Sequence, residues 1–183
     1  QENTRSQLIK NSGKNTLFLL EHNHTYTLGK NGNPNNILNK NCELFQTDRG
    51  GDVTYHGPGQ LVGYPIINLK TMGLGIRSYV SNIEQLLIDV LYDYGINASI
   101  KKGLTGVWIE DRKIASIGIR VSQWITTHGF ALNVNTDMDY FSNIISCGID
   151  NVSMTSMEKE LNKKISISDV KQSTINHFND IFK

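Results

Sequence analysis

Cysteine is scarce in this sequence, and neither sign of charge dominates. Two cysteines occur among 183 residues, Cys42 and Cys147, far apart and without a C-x-x-C spacing. That pattern excludes a disulfide-rich secreted scaffold and fits a reducing compartment, with a single disulfide as the remaining alternative. Eighteen Lys and Arg against seventeen Asp and Glu leave a net charge of +1, so no strongly basic surface points to nucleic acid or membrane. No apolar run reaches the ~18 residues of a membrane-spanning helix. The first fifteen residues, QENTRSQLIKNSGKN, are polar and contain no signal-peptide apolar region. The chain opens on Gln rather than Met, which leads us to expect further residues upstream. Metal motifs are absent: there is no H-E-x-x-H, and the H-x-H of His22 and His24 has no obvious third ligand. We therefore expect no metal and no cofactor. Internal repeats and linkers are also missing. At this length a single domain with one sizeable core is expected.

What is present is a succession of short β-type segments. TLFLLE (16–21), TYTLG (25–29), ELFQT (43–47), LVGYPIINL, INASIK, GVWIE, KIASIGIRVS and HGFALNVN all read as strands. Pro65, inside one of them, suggests a sheet edge or a bulge. Two segments are helical by period. In IRSYVSNIEQLLIDVLYDYG the stripe runs through Ile76, Val80, Ile83, Leu87, Val90, Leu91 and Tyr94, with Gly95 as its stop. In the tail, Val170, Thr174, Phe178 and Ile181 share a face, with Ser168 as the expected N-cap. DMDYFSNIISCG reads as a short helical turn running into a loop. Many strands and two main helices predict an α+β fold: a mixed sheet flanked by helices.

Glycine is concentrated in one place. RGGDVTYHGPGQLVGYP, residues 49–65, holds five glycines, with Arg49, Tyr55 and His56 among them. Glycine permits backbone dihedrals closed to other residues and lets a ligand or another chain approach. This is not a Walker loop, because G-x-x-x-x-G-K-[ST] is absent. GPGQLVG is one residue too long for the dinucleotide fingerprint and precedes a strand rather than a helix. From pattern alone, the segment is either a turn between two strands or the wall of a narrow slot. Further on, Lys113 begins a run of small residues, Ala115, Ser116 and Gly118. A lone lysine is ordinarily a solvated charge, yet small neighbours leave room for a substrate. His128 in HGFALN is by default a structural histidine. Cys147, in IISCGI, ends an apolar approach at a turn, whereas Cys42, in NKNCELF, sits among polar residues without glycines. A buried cysteine is usually a small hydrophobe. A nucleophilic one needs partial exposure and a nearby cation or base.

Taken together, EHNHTYTLG, RGGDVTYHGPGQ, GVWIEDRKIASIGIR, HGFALNVN and SCGI, in this order, resemble the octanoyltransferase family. The resemblance covers about residues 17–150, and the tail from TSMEKEL onward is also similar. It implies the lipoate/biotin protein ligase fold, related to class II aminoacyl-tRNA synthetase catalytic domains. It implies transfer of an octanoyl group from octanoyl-acyl carrier protein to a lysine. The acceptors would be lipoyl domains of 2-oxoacid dehydrogenases and the glycine cleavage H protein. By the same resemblance Cys147 matches the acyl-accepting cysteine, and Lys113 the lysine paired with it. The substrate-binding segments would be Arg49, Gly50, Gly51, Asp52, Val53, Thr54, Tyr55 and His56; Ser116, Ile117 and Gly118; and Gly129, Phe130 and Ala131. Backbone N–H groups near Gly148 or Gly118 are candidates for an oxyanion hole. A bacterial cytosol is the expected setting, with an organelle as the alternative. The rival readings are an ATP-dependent lipoate or biotin protein ligase and a non-catalytic module that binds acyl carrier or lipoyl domains.

Overall fold

The protein is described from a computed structural model, which covers residues 1–39, 42–148 and 152–183. Two sheets of unequal size organise the chain. The strands are β1 (Thr16–Leu20), β2 (Thr25–Leu28), β3 (Leu44–Gln46), β4 (Thr54–His56), β5 (Gln60–Ile66), β6 (Ser99–Lys101), β7 (Leu104–Ile109), β8 (Arg112–Ser122), β9 (Ile125–Asn133) and β10 (Ser153–Met154). The large sheet has the order β1-β5-β9-β8-β7-β6, antiparallel throughout, and β10 adds a short parallel pairing to β8. The small sheet, β3-β2-β4, joins β2 and β3 in parallel and β2 and β4 antiparallel. The helices are α1 (Glu2–Ile9), α2 (Ile76–Asp93), α3 (Met157–Leu161) and α4 (Ile167–Ile181). This is the mixed-sheet α+β architecture the residue pattern predicts. None of the described helices is long and apolar enough to cross a membrane.

One face of the large sheet is closed by α2 and α4. Ile83, Leu86, Leu87, Val90 and Leu91 of α2 and Val170 of α4 pack onto Leu61, Val107, Ile109 and Leu132. Burying each such side chain contributes about 1.5–3 kcal/mol, so this layer supplies most of the drive to fold. The stripe on α2 differs from the expected one at its start: Ile76 is exposed, and Tyr79 is fully buried in its place. Gly95 ends the helix with φ 74°, as expected. The N-cap of α4 is Ser166, whose side chain accepts from Asp169 N, two residues before the serine the pattern favoured. Ser156 caps α3 in the same way.

Pro65 lies in β5, an interior strand, not at an edge. The ladder from β5 to β9 runs from Gln60 only to Gly63, which removes the need for an N–H at Pro65. Thr126 takes over from there. Its Oγ1 donates to Pro65 O at 2.6 Å and accepts from Ile67 N at 2.9 Å.

The small sheet has a core of its own. Tyr26, Leu28, Val53 and Tyr55 pack with Phe141, Ile144 and Met154, away from the large sheet's helices. Gly57-Pro58-Gly59 turns the chain from the small sheet into the large one. Gln60 N donates to Gly57 O at 3.2 Å across this turn, and Gly59 adopts φ 80°.

Candidate active site

Between the two sheets lies a cavity of about 290 Å³. Alternation along β4 decides which part of the glycine-rich segment reaches it. Asp52, Thr54 and His56 line the cavity, whereas Val53 and Tyr55 are fully buried in the small sheet's core. Val53 and Tyr55 therefore do not line the cavity, although the resemblance names the whole segment as substrate-binding. Arg49 and Gly51 also line the cavity. Gly50 instead docks on the large sheet, its N–H donating to Ile119 O at 2.9 Å. From the large sheet come Ser116, Ile117 and Gly118 of β8 and Gly129, Phe130 and Ala131 of β9, together with Val62 and Tyr64 of β5. Val62 and Ala131 offer the cavity apolar side chains, whereas the side chains of Ile117 and Phe130 pack with the helical core on the other face of the sheet. Arg49, His22, His56 and His128 make the rest polar.

Arg49 is a clamp. It is 8% exposed; its Nη2 donates to Thr27 O at 2.7 Å and Thr27 Oγ1 at 2.8 Å, and its Nη1 to Gly50 O at 3.0 Å. It thereby fastens the glycine loop to β2 of the small sheet. Most glycines here serve close approach between chain segments rather than space for a ligand. A Cβ on Gly29 would run into the Gly51 carbonyl, and one on Gly129 into the Gly63 carbonyl. A Cβ on Gly118 would lie 3.0 Å from Gly50 O. Gly51 is the exception: with φ 83° it presents an open Cβ direction at the cavity, the nearest atom being Arg49 Nη1 at 3.5 Å.

His56 is bonded through Nδ1 to Gln60 Oε1 at 2.7 Å. Gln60 Nε2 donates to Tyr55 O and Asn133 Oδ1, so its oxygen is left to accept and the His56 proton belongs on Nδ1. Burial lowers the His56 pKa to about 4. The ring is then neutral at physiological pH, with Nε2 as a lone-pair acceptor. His22, whose pKa burial also lowers, bonds Tyr64 Oη at 2.7 Å. His24, an exposed residue, pairs with Tyr55 Oη at 2.7 Å and stacks on Tyr140, and no candidate metal group is found among the described residues. His128 is hydrogen-bonded, as its default structural reading has it, and also borders the cavity. It lines the cavity in the left-handed region, φ 59°, and bonds Asp48 Oδ1 at 2.6 Å, a contact that holds the Asp48 carboxyl below the usual range. His22, Tyr64 and His128 were missed as cavity residues. The EHNHTYTLG segment carried a signal for His22, but only as an H-x-H pair.

Lys113 is 2% exposed, against the ordinary expectation for a lone lysine. A bulge in β8 aims it. Trp108 pairs with Lys113 but Val107 with Ala115, so Ile114 is an extra residue on β8. Val107 and Ile109 face the helices, which puts Trp108 and its partner Lys113 on the opposite face. Ser116, opposite Ala131, shares that face with Lys113. Without the bulge, Lys113 would alternate with Ala115 and Ile117 toward the helical core. Lys113 does not itself line the cavity.

Cys147 falls in a 3-10 turn, Ser146–Gly148, and its side chain lies outside what the structure describes. The turn itself is held against the glycine loop. Asp52 Oδ2 accepts from Asn36 Nδ2 at 2.8 Å, Asn36 O accepts from Ile145 N at 2.7 Å, and a Cβ on Gly148 would lie 2.7 Å from Asp52 Oδ2. Asp52 thus joins the cavity wall to the segment that carries Cys147. The Gly148 N–H is used within the turn, donating to Ile145 O at 3.1 Å, which weakens its candidacy for an oxyanion hole. Cys42 is half-buried against the small sheet's core.

Residues 1–179 match the lipoyl protein ligase A/B catalytic domain. The octanoyltransferase of Solibacter usitatus is 46% identical over 189 residues, covering 100% of this chain and 85% of that protein. The octanoyltransferase of Christiangramia forsetii is 43% identical over 183 residues, covering 93% and 78%. The chain belongs to the octanoyltransferase family. Among solved structures, the putative lipoate protein ligase Ta0514 of T. acidophilum superposes with a TM-score of 0.74 at 17% identity, over 98% of this chain and 78% of that one. A lipoate-protein ligase A bound with ATP gives the same score and identity over 97% and 78%. The biotin protein ligase of Aquifex aeolicus follows at 0.55 and 16% identity, over 68% and 53%. These structural likenesses establish the lipoate/biotin protein ligase fold.

Proposed function

We propose that this acyltransferase takes an octanoyl thioester from acyl carrier protein and delivers the acyl group to a lysine of a lipoyl domain, by way of Cys147. The acceptors are the lipoyl domains of 2-oxoacid dehydrogenases and the glycine cleavage H protein. The observation that carries the reading is Lys113: a buried lysine, re-aimed by a strand bulge onto the cavity face, in a member of the octanoyltransferase family. The apolar side given by Val62 and Ala131 suits a hydrocarbon chain, each buried methylene contributing about 0.8 kcal/mol. The polar remainder suits the thioester.

In the first half-reaction Lys113 takes the Cys147 thiol proton, and the thiolate attacks the thioester carbon. The tetrahedral intermediate collapses with loss of the carrier's thiolate, which takes the proton back from Lys113 and leaves that amine neutral. One thioester replaces another, so no ATP is consumed. In the second half-reaction the neutral acceptor amine attacks the acyl-cysteine, and the tetrahedral adduct gives one proton to Lys113 and expels the Cys147 thiolate. The product is an amide, downhill from the thioester. Purified protein, octanoyl-acyl carrier protein and a lipoyl domain, with ATP omitted, should give octanoylated lipoyl domain by mass spectrometry. Product that forms only from free octanoate and ATP would make the protein a ligase instead.

A further inference from the structure

The bulge sends the Lys113 side chain across β7, and two residues of that strand receive it. Gly106 has φ 125°, a region closed to residues with a Cβ. A Cβ built there would stand 2.6 Å from Lys113 Cε and 3.2 Å from Nζ, so the lysine's aliphatic end runs directly over the Gly106 backbone. It would also stand 2.6 Å from the Ala115 carbonyl, one residue beyond the bulge. Trp108 comes next. Its ring centroid lies 5.2 Å from Lys113 Nζ and 5.0 Å from Lys101 Nζ. Lys101 is held by Asp111 at 2.5 Å. The indole is 1% exposed, and its Nε1 has no hydrogen-bond partner among the described residues, so no bond of its own fixes the ring there. A desolvated aromatic face attracts an ammonium more strongly than an exposed one.

We infer that Gly106 and Trp108 are positioning residues that seat the Lys113 amine for proton transfer: Gly106 by leaving the space the side chain crosses, Trp108 by offering a π-face to the charge. This rests on the reading of Lys113 as the proton partner of Cys147. An aromatic face suits that task because it attracts the cation yet accepts no proton. It fixes the amine without competing with the thiol or the incoming amine for the proton.

The test is the kcat and KM of octanoyl transfer, with melting temperatures, for wild type, Lys113→Ala, Gly106→Ala, Trp108→Phe and Trp108→Leu. Gly106→Ala should lose about 100-fold in kcat with KM unchanged, as expected for a displacement of about 1 Å of a reacting group. Trp108→Phe, which keeps a π-face, should hold kcat within about threefold, and Trp108→Leu should lose about tenfold. A merely structural tryptophan would lower the melting temperature in both and leave their kcat values equal, which overturns the inference. That comparison also decides the matter if Gly106→Ala does not fold. If Lys113→Ala is inactive while folded Gly106→Ala keeps wild-type kcat, the seat is wrong and the proton-transfer role stands. If Lys113→Ala itself keeps wild-type kcat, the underlying reading fails.

Discussion

The two faces of the large sheet are built by different means. The helix-covered face is a continuous apolar layer of Ile83, Leu87, Val90, Leu91, Val107, Leu132 and Val170. The opposite face is held by a buried arginine clamp, glycines in contact with neighbouring carbonyls, a one-residue bulge and a chain of amide hydrogen bonds. The first face stabilises without regard to detail, because burial is non-directional. The second is directional, because hydrogen bonds and close contacts depend on geometry. Substitutions on the two faces should therefore separate stability from turnover.

The largest effect is expected at Lys113. Lys113→Ala should slow octanoyl transfer by about 10²–10⁴-fold, the usual worth of a positioned acid–base group. The melting temperature should hardly move. Lys113→Arg keeps a cation but cannot deprotonate at neutral pH. It should preserve alkylation of Cys147 by iodoacetamide while failing to restore transfer. Equal alkylation rates across pH in wild type and Lys113→Ala would remove the pairing.

Gly51→Val should cost more than about tenfold in kcat/KM, because the branched side chain enters the cavity, and should also destabilise by about 1–2 kcal/mol through its left-handed φ. A variant that melts far lower and is fully active when folded would make Gly51 a turn residue only. Leu87→Ala is the opposite case. It should lose about 2–5 kcal/mol in denaturant titration and keep wild-type kcat in the folded fraction. A kcat defect in Leu87→Ala would show that the two faces are not separable.

Asp52→Asn should be milder than Asp52→Ala. The amide can still accept from Asn36 through its oxygen, whereas alanine frees the turn that carries Cys147. Acylation by octanoyl-acyl carrier protein, followed by stopped mixing, should rank wild type, Asn, Ala in that order.

The smallest effect concerns pH. The His56 pKa is lowered to about 4 from an unfolded value of 6.5, so the fold favours the neutral ring. Its contribution is fully present above pH 6.5 and is lost as pH falls from there toward 4, because the unfolded state then binds the proton more readily. Urea titrations at pH 7, 5.5 and 4.5 should show a steeper decline for wild type than for His56→Asn. Equal slopes would mean that His56 is solvated and not held neutral.

The helical face was largely legible in the sequence, because a 3.6-residue period survives in the apolar stripe of α2 and a two-residue period in HGFALNVN. Its errors are local: Ser166 rather than Ser168 caps α4, since either serine precedes an apolar run, and α1 was missed because its residues are polar and offer little periodicity. The site was legible in another way. Resemblance named residues 49–56, but only the alternation along β4 sorts Asp52, Thr54 and His56 from Val53 and Tyr55. The aim of Lys113 depends on a register shift, and the importance of Gly106 on a non-local crossing. Neither leaves a mark in a single sequence. The clustering of glycines is visible in the sequence, but that Gly50, Gly59, Gly118 and Gly129 sit against carbonyls of other segments is a tertiary fact.

The central claim is that Cys147 carries the octanoyl group. Intact and peptide mass spectrometry after mixing the protein with octanoyl-acyl carrier protein, in the absence of acceptor, tests it most directly. The account predicts a single octanoyl adduct, labile to hydroxylamine and confined to Cys147, with Cys42 unmodified. An adduct on Cys42, or turnover of the donor in a Cys147→Ala variant at the wild-type rate, would contradict it.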